Sequence, residues 1–452
     1  MKMNPSIFRE YDIRGVVGKD FDEEFAYQLG RAFARKIVDQ GGKKVTAGRD
    51  CRLSSPSLGQ SLIRGMVDSG LEVTDIGVVT TPMLYFSLYH LNADGGIMVS
   101  GSHNPPDQNG FKVCVGKETI WGAEILKLKG IIDARDYPQG KGAVRAYDLH
   151  TPYIDYIVKN VRLARPLKVV VDAGNGTAGP VAPVVLKKLG CQVTELYCDM
   201  DGRFPNHHPD PTVEKNVAEL RQRVVAEQAD AGIAYDGDAD RIGLIDDRGK
   251  IIWGDILMIL LSRFLLEEVP GATIIGEVKC SHRLFQDIEA HGGKPLMWKA
   301  GHSLIKAKMK EVGAQLGGEM SGHIFYKHRW FGFDDAVYTS ARVLEILSRN
   351  QKPLSALLAD VPPAVSTPEL RIKSSDEKKF AIVEQVKQHF QKLGCKVNDV
   401  DGMRLIEKDG WGLVRASNTQ PMLVMRFEAD TQARLEEIRR LVEEQVNRLN
   451  QV

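Results

Sequence analysis

Short runs of β-branched and aliphatic residues alternate along this chain with stretches whose apolar positions recur every three or four residues. "KKVTAGRD" precedes "SLGQSLIRGMVDSG", "LKVVVDAGNGTAG" precedes "PVAPVVLKKLG", and "GATIIGEVKC" precedes "RLFQDIEAHGG". Each pair reads as a strand followed by a helix, and their succession predicts parallel sheets with crossover helices. Three such blocks read as divergent copies of one domain. Past Pro362 and Pro363 the pattern changes to "FAIVEQVKQHFQKLG", several short strands and "ARLEEIRRLVEEQVNRL", a smaller α+β domain closed by an amphipathic helix. Seams near "RAYDLHTPYIDYI", "DDRGKIIW" and "ADVPPAVSTPEL" divide the chain into residues 1–148, 149–250, 251–362 and 363–452.

Composition narrows the function classes. Lys and Arg number 60 against 59 Asp and Glu, so no global field draws the chain to nucleic acid or an anionic membrane, and neither partner is expected. The most apolar run, "ILMILLSRFLL", is interrupted by Arg263 and is too short to span a bilayer; it reads as a buried helix. The start, "MKMNPSIFREYD", lacks the apolar core of a secretory signal. Six cysteines, at 51, 114, 191, 198, 280 and 395, form no C-x-x-C pair, which fits the reduced cytoplasm rather than a disulfide or zinc scaffold.

The chemistry gathers in four short stretches. In "GGIMVSGSHNPPDQNGFKV" an apolar strand delivers Ser102, next to His103, to a loop of turn-formers. In "YDGDADR" the alternating Asp236, Asp238 and Asp240 would repel one another in an extended loop unless a divalent cation joined them. Arg241 and Asp247 stand where an EF-hand needs glycine and glutamate, so a calcium buffer is excluded. "GGEMSGHIFY" is a glycine-rich polar turn. "GWGLVRASNTQPMLVMRFEA" places Arg415, Ser417, Asn418 and Thr419 on a loop suited to an anion. A competing motif is "DAGNGTAG", a G-x-G-x-x-G after a strand with Asp199 some way on, the fingerprint of an NAD-dependent dehydrogenase. No G-x-S-x-G elbow surrounds Ser102 and no P-loop occurs. A loop serine, an aspartate triplet and an arginine loop together point to phosphoryl transfer.

From "FREYDIRGVVG" to "RASNTQPMLVMRFEAD" the chain resembles the α-D-phosphohexomutase superfamily, most closely its bacterial phosphomannomutase/phosphoglucomutase branch. "SGSHNPPDQNGFK", "DGDADR", "GEMSGH" and "RASNTQP" occur in family order. The resemblance implies three related mixed-sheet α/β domains plus a smaller C-terminal α+β domain around a central cleft, in a monomer. It implies reversible interconversion of hexose 1-phosphate and hexose 6-phosphate, for mannose and glucose, with glucose 1,6-bisphosphate as intermediate and activator. Ser102 would carry the phosphoryl group, and together with Asp236, Asp238 and Asp240 would hold Mg²⁺. Glu319 and Ser321 would read ring hydroxyls with His323 near the reacting oxygen; Arg415, Ser417, Asn418 and Thr419 would hold the other phosphate. Tyr11, Arg241, Lys279 and His302 would add substrate contacts. For proton transfer it offers His323 first and Lys112 second, then Arg14 and His103; Arg14 is too basic to deprotonate readily and suits electrostatic stabilisation better. Ala239 departs from the glycine of many relatives, which would stiffen the metal loop. The phosphoglucosamine mutase branch differs at the Met320 position, a single residue, so phosphoglucosamine mutase stays the alternative activity.

Overall fold

The computed structural model describes residues 3–418 and 421–450. Its strands form four sheets that follow one another along the chain. In the first, Lys44–Arg49 runs parallel to Glu72–Val78 and Gly95–Val99, and Glu72–Val78 is parallel to Ala143–Ala146. Gln108–Val115 then returns antiparallel to Gly95–Val99, with Ile13–Val16 antiparallel beyond it. In the second, Lys168–Asp172 is parallel to Gln192–Leu196 and Ala231–Tyr235, while Ile242–Ile245 is antiparallel to Ala231–Tyr235. In the third, Thr273–Glu277 is parallel to Lys294–Trp298 and Leu316–Gly318, and Ile324–Tyr326 is antiparallel to Leu316–Gly318.

The purely parallel sheets expected from strand and helix alternation are therefore mixed, in keeping with the family resemblance. The reason is geometric: a loop too short to hold a crossover helix can only return its strand antiparallel. Those three returns are the segments between Val99 and Gln108, Tyr235 and Ile242, and Gly318 and Ile324. Each carries one of the sequence motifs, so the same position in three related sheets supplies a motif-bearing loop. The fourth sheet is wholly antiparallel along its path from Val365–Ser366 through Met422–Ala429, Gly410–Ala416 and Met403–Glu407 to Lys396–Asn398. Its arginine loop lies between Gly410–Ala416 and Met422–Ala429.

One apolar core links parts of the first three domains, while the first domain also has a second core of its own and the C-terminal domain has another. The run containing Arg263 is the buried helix Gly254–Glu268, and Arg263 Nε leaves it to donate to Asp287 Oδ1 at 2.9 Å. Arg404 joins the last two domains: buried, it stacks over Trp411 at 3.7 Å and donates to the carbonyl of Cys280 at 2.9 Å. Among the described residues no helix is long and apolar enough to cross a membrane.

Candidate active site

Ser102 sits where the strand Gly95–Val99 empties, and its backbone is left-handed, at φ +48°. A non-glycine residue adopts that conformation only when its surroundings enforce it. Arg52 does so. Fully buried, its guanidinium donates to the carbonyls of Ser102 at 2.7 Å, Asn104 at 2.6 Å, Gln108 at 3.0 Å and Pro105 at 2.5 Å, and it pairs with Asp50 at 3.2 Å. Asp50 in turn accepts from the Gly101 amide at 2.9 Å. Sequence reasoning missed Arg52, because an arginine just after a strand ordinarily reads as a surface residue.

The aspartate loop presses on the serine loop from the second domain. A Cβ on Gly237 would lie 2.4 Å from the Ser102 carbonyl oxygen, so that contact requires glycine. Ser102 Oγ donates to Asp236 Oδ2 at 2.7 Å and lies 3.0 Å from His103 Nδ1. Burial, followed by Arg241 and Arg14, holds His103 well below the ordinary imidazole range. Asp236, Asp238 and Asp240 are all fully buried, and one oxygen from each lies within 4.8 Å of the other two. Burial and the two neighbouring carboxylates push Asp236 well up. Burial would raise Asp240 too, but Lys112 and His323 outweigh it and hold it well below the carboxylate range. Lys112 bridges Asp238 and Asp240. Three convergent carboxylates, with Asp238 Oδ1 buried and without a partner among the described residues, suit a hard, oxygen-seeking divalent cation. Ala239 is buried with φ +60°, at a cost of about 1–2 kcal/mol for a residue with a side chain.

The third loop reaches the second along its backbone, where Ile242 N donates to the Gly322 carbonyl at 3.1 Å. His323 stands between two carboxylates, with Nδ1 2.5 Å from Glu319 Oε2 and Nε2 3.1 Å from Asp240 Oδ1. Burial alone would lower its pKa, yet Asp240 and Glu319 raise it to about 9 despite Arg241. Arg241 Nε also donates to His323 Nε2 at 3.2 Å. That nitrogen therefore has an acceptor to receive its proton and a donor to replace it, so either ring state is satisfied. Glu319, which burial would raise, is held at about 2 by His323 and Lys279, and it accepts from the Gly301 amide at 2.7 Å. Ser321 is half-buried on the same turn.

Around these loops stand the remaining expected residues. Arg14 Nε pairs with Asp12 Oδ1 at 2.8 Å. His302 lies between Tyr11 and His323, its ring centroid 6.2 and 5.8 Å from theirs. Lys279 Nζ lies 3.5 Å from Glu277 and 3.3 Å from Glu369. Glu277 is fully buried, accepts from the Met320 amide at 3.0 Å, and is pushed up to about 7 by burial and Glu319 in spite of Lys279. In the fourth domain Arg415 Nε donates to Asp401 Oδ2 at 2.9 Å. Asn418 Nδ2 reaches across to the Tyr11 hydroxyl at 2.8 Å, and Tyr11 donates to the Ala300 carbonyl at 2.8 Å, so first, third and fourth domains meet at one tyrosine. Ser417 lies beside Arg415, its amide donating to the Met422 carbonyl at 2.9 Å, and Thr419 lies outside the described residues. Glu277, Asp401 and Glu369 carried no motif and were missed.

The dinucleotide fingerprint has another explanation. A Cβ on Gly176 would lie 2.7 Å from the Gly237 carbonyl oxygen, and one on Gly179 would lie 1.9 Å from that of Cys198. Thr177 N donates to the Gly237 carbonyl at 3.0 Å. These glycines admit protein backbone and buttress the aspartate loop; the space a pyrophosphate needs is filled, which overturns the dehydrogenase reading.

Comparison with known proteins agrees with this architecture. Family models for the phosphoglucomutase/phosphomannomutase alpha/beta/alpha domains I, II and III match residues 5–136, 151–249 and 253–365, and that for the C-terminal domain matches residues 369–445. The chain belongs to the phosphoglucomutase/phosphomannomutase family. It is similar to the phosphomannomutase/phosphoglucomutase of Pseudomonas aeruginosa, at 48% identity over 98% of this chain and 95% of that one. The phosphoglucomutase of Neisseria gonorrhoeae is 45% identical over 96% of this chain and 95% of its own. A crystal structure of a family protein from Burkholderia thailandensis superposes with a TM-score of 0.94 at 44% identity, covering 99% and 98% of the two chains.

Proposed function

We propose that this enzyme reversibly interconverts the 1- and 6-phosphates of glucose and mannose, with Ser102 as the residue that carries the phosphoryl group. The observation that carries the assignment is the 2.7 Å approach of Ser102 Oγ to Asp236, which sets a nucleophile of one domain against the carboxylate triplet of the next. Full-length similarity to enzymes named for both sugars supports the substrate class.

In the forward step the bond from phosphorus to Ser102 Oγ breaks as one to a sugar hydroxyl oxygen forms; the hydroxyl proton passes to a base and the freed Ser102 Oγ takes up a proton. The resulting bisphosphate turns end over end, and its other phosphate returns to Ser102. Mg²⁺ held by Asp236, Asp238 and Asp240 would neutralise charge on the moving group. In its neutral form His323 keeps the Nδ1 proton against Glu319, and Nε2, which faces Asp240 and Arg241, is the nitrogen that would take the sugar hydroxyl's proton. Lys112 contacts Asp238 and Asp240, His103 Nδ1 lies 3.0 Å from Ser102 Oγ, and Arg14 pairs with Asp12. Lys112 and Arg14 are held protonated by carboxylates, which outweigh burial, so both suit charge stabilisation better than deprotonation. Arg415, Ser417, Asn418 and Thr419 would grip the idle phosphate.

End-over-end turning roughly exchanges O3 and O4, so Glu319 and Ser321 can serve both orientations by reading those two hydroxyls. Glucose and mannose share them. A coupled assay should therefore show glucose 1-phosphate and mannose 1-phosphate turned over at comparable kcat/KM. Galactose 1-phosphate, inverted at C4, should be roughly ten- to a hundredfold poorer. A strong preference for glucosamine 1-phosphate would move the enzyme to the phosphoglucosamine mutase branch.

A further inference from the structure

Asp238 is the middle carboxylate of the triplet, and its two oxygens have opposite surroundings. Oδ2 accepts three hydrogen bonds: from Thr81 Oγ1 at 2.6 Å, Ser100 Oγ at 2.7 Å and Lys112 Nζ at 3.0 Å. Oδ1 is buried and accepts none from the described residues. All three donors belong to the first domain, whereas Asp238 belongs to the second. Thr81 opens the helix Thr81–His90, and its amide also donates to the Asp238 carbonyl at 2.9 Å, so one residue grips both the backbone and the side chain of the metal loop. Ser100 accepts from the Ser102 amide at 2.9 Å while it donates to Asp238. It thereby links the backbone of the nucleophile to the carboxylate.

We infer that Thr81 and Ser100 are positioning residues of the cation site: they occupy Oδ2 and so commit Oδ1 of Asp238 to the metal. The inference rests on the reading of the aspartate triplet as that site. Three donors on one oxygen leave it little remaining capacity to accept, and twisting the carboxylate away from this orientation would break all three bonds together, while a half-turn only interchanges two equivalent oxygens and restores the same arrangement. Lys112 supplies charge at the same oxygen, but the two hydroxyls fix direction. They are small, buried and attached to ends of regular elements, which is how outer partners of a ligating carboxylate hold it in one orientation. Cation affinity then depends on how the first domain docks on the second, because the ligands lie on one and their supports on the other.

The test uses Mn²⁺ as the probe, titrated into the full-length protein and followed by its electron spin resonance signal. Thr81→Val and Ser100→Ala should each weaken Mn²⁺ binding at least roughly tenfold, the scale on which outer-shell partners act. Thr81→Ser, which restores the hydroxyl, should bind as the wild type does. In turnover the Mg²⁺ concentration for half-maximal activity should rise by the same factor, with the KM for glucose 1-phosphate unchanged. A merely structural role would not divide the two constants in this way. Two separate hydroxyls keep the experiment decisive if one variant fails to fold. Variants that melt like the wild type in chelator and bind Mn²⁺ equally tightly would overturn the inference alone. A wild-type protein that binds no Mn²⁺ would overturn the cation site and the inference with it.

Discussion

Ser102 Oγ and Asp236 Oδ2, 2.7 Å apart, belong to two different sheets that reach each other through matching hairpin turns. Neither residue is a site alone. The serine is held out by Arg52, the aspartate is brought up by Gly237, and their contact places a hydroxyl against three converging carboxylates.

Ser102→Ala should lower turnover by at least about a thousandfold, the scale of losing a covalent nucleophile, while leaving the thermal transition near that of the wild type. Arg52 grips carbonyls rather than the Ser102 side chain, so the loop should survive the change. Intact-mass and peptide spectra should find phosphate on Ser102 of the wild type. Phosphate confined to another residue would refute the assignment.

Arg52→Leu should be among the most damaging single substitutions in the first domain. It strands the Asp50 carboxylate and removes the donor to four carbonyls, a loss of about 3–5 kcal/mol. Arg52→Lys should recover only part, because an ammonium cannot span those carbonyls as a planar fork does. Scanning calorimetry of the three proteins, with activity measured in parallel, checks the order.

Arg415→Ala should reduce kcat/KM for both the 1-phosphate and the 6-phosphate of glucose by a similar factor, on the order of a hundredfold, since in either orientation one phosphate is idle. The loss of its bond to Asp401 should cost little stability by comparison. If only one direction suffered, Arg415 would not serve a common phosphate site.

Glu277 titrates at about 7 in the folded protein, because burial and Glu319 raise it from the ordinary carboxylate range. A raised acid binds its proton more tightly folded than unfolded, so its stabilisation is complete below the unfolded pKa of about 4.3 and is lost as pH rises towards 7. Glu277→Gln cannot titrate. Denaturation midpoints should therefore show the glutamine variant gaining on the wild type between roughly pH 4.5 and 7, with a constant gap above. Parallel curves throughout would place the Glu277 pKa near its unperturbed value.

The sequence by itself determined the repeated strand and helix blocks, the helix around Arg263, and the four polar stretches, because these follow from local periodicity and from turn-forming residues. It also determined the family, because those stretches keep their order. What it left open was set by contacts between residues far apart in the chain. Arg52 takes its role from carbonyls about fifty residues away, and Tyr11 from Ala300 and Asn418. The glycines of "DAGNGTAG" have the local form of a nucleotide loop, and only the approach of Gly237 and Cys198 shows that backbone fills the space. The antiparallel returns were equally hidden, since a strand's direction depends on where its loop must end. Local sequence fixes what each segment can become, but the charge, burial and hydrogen bonding that make a residue functional are sums over neighbours that only the folded chain assembles.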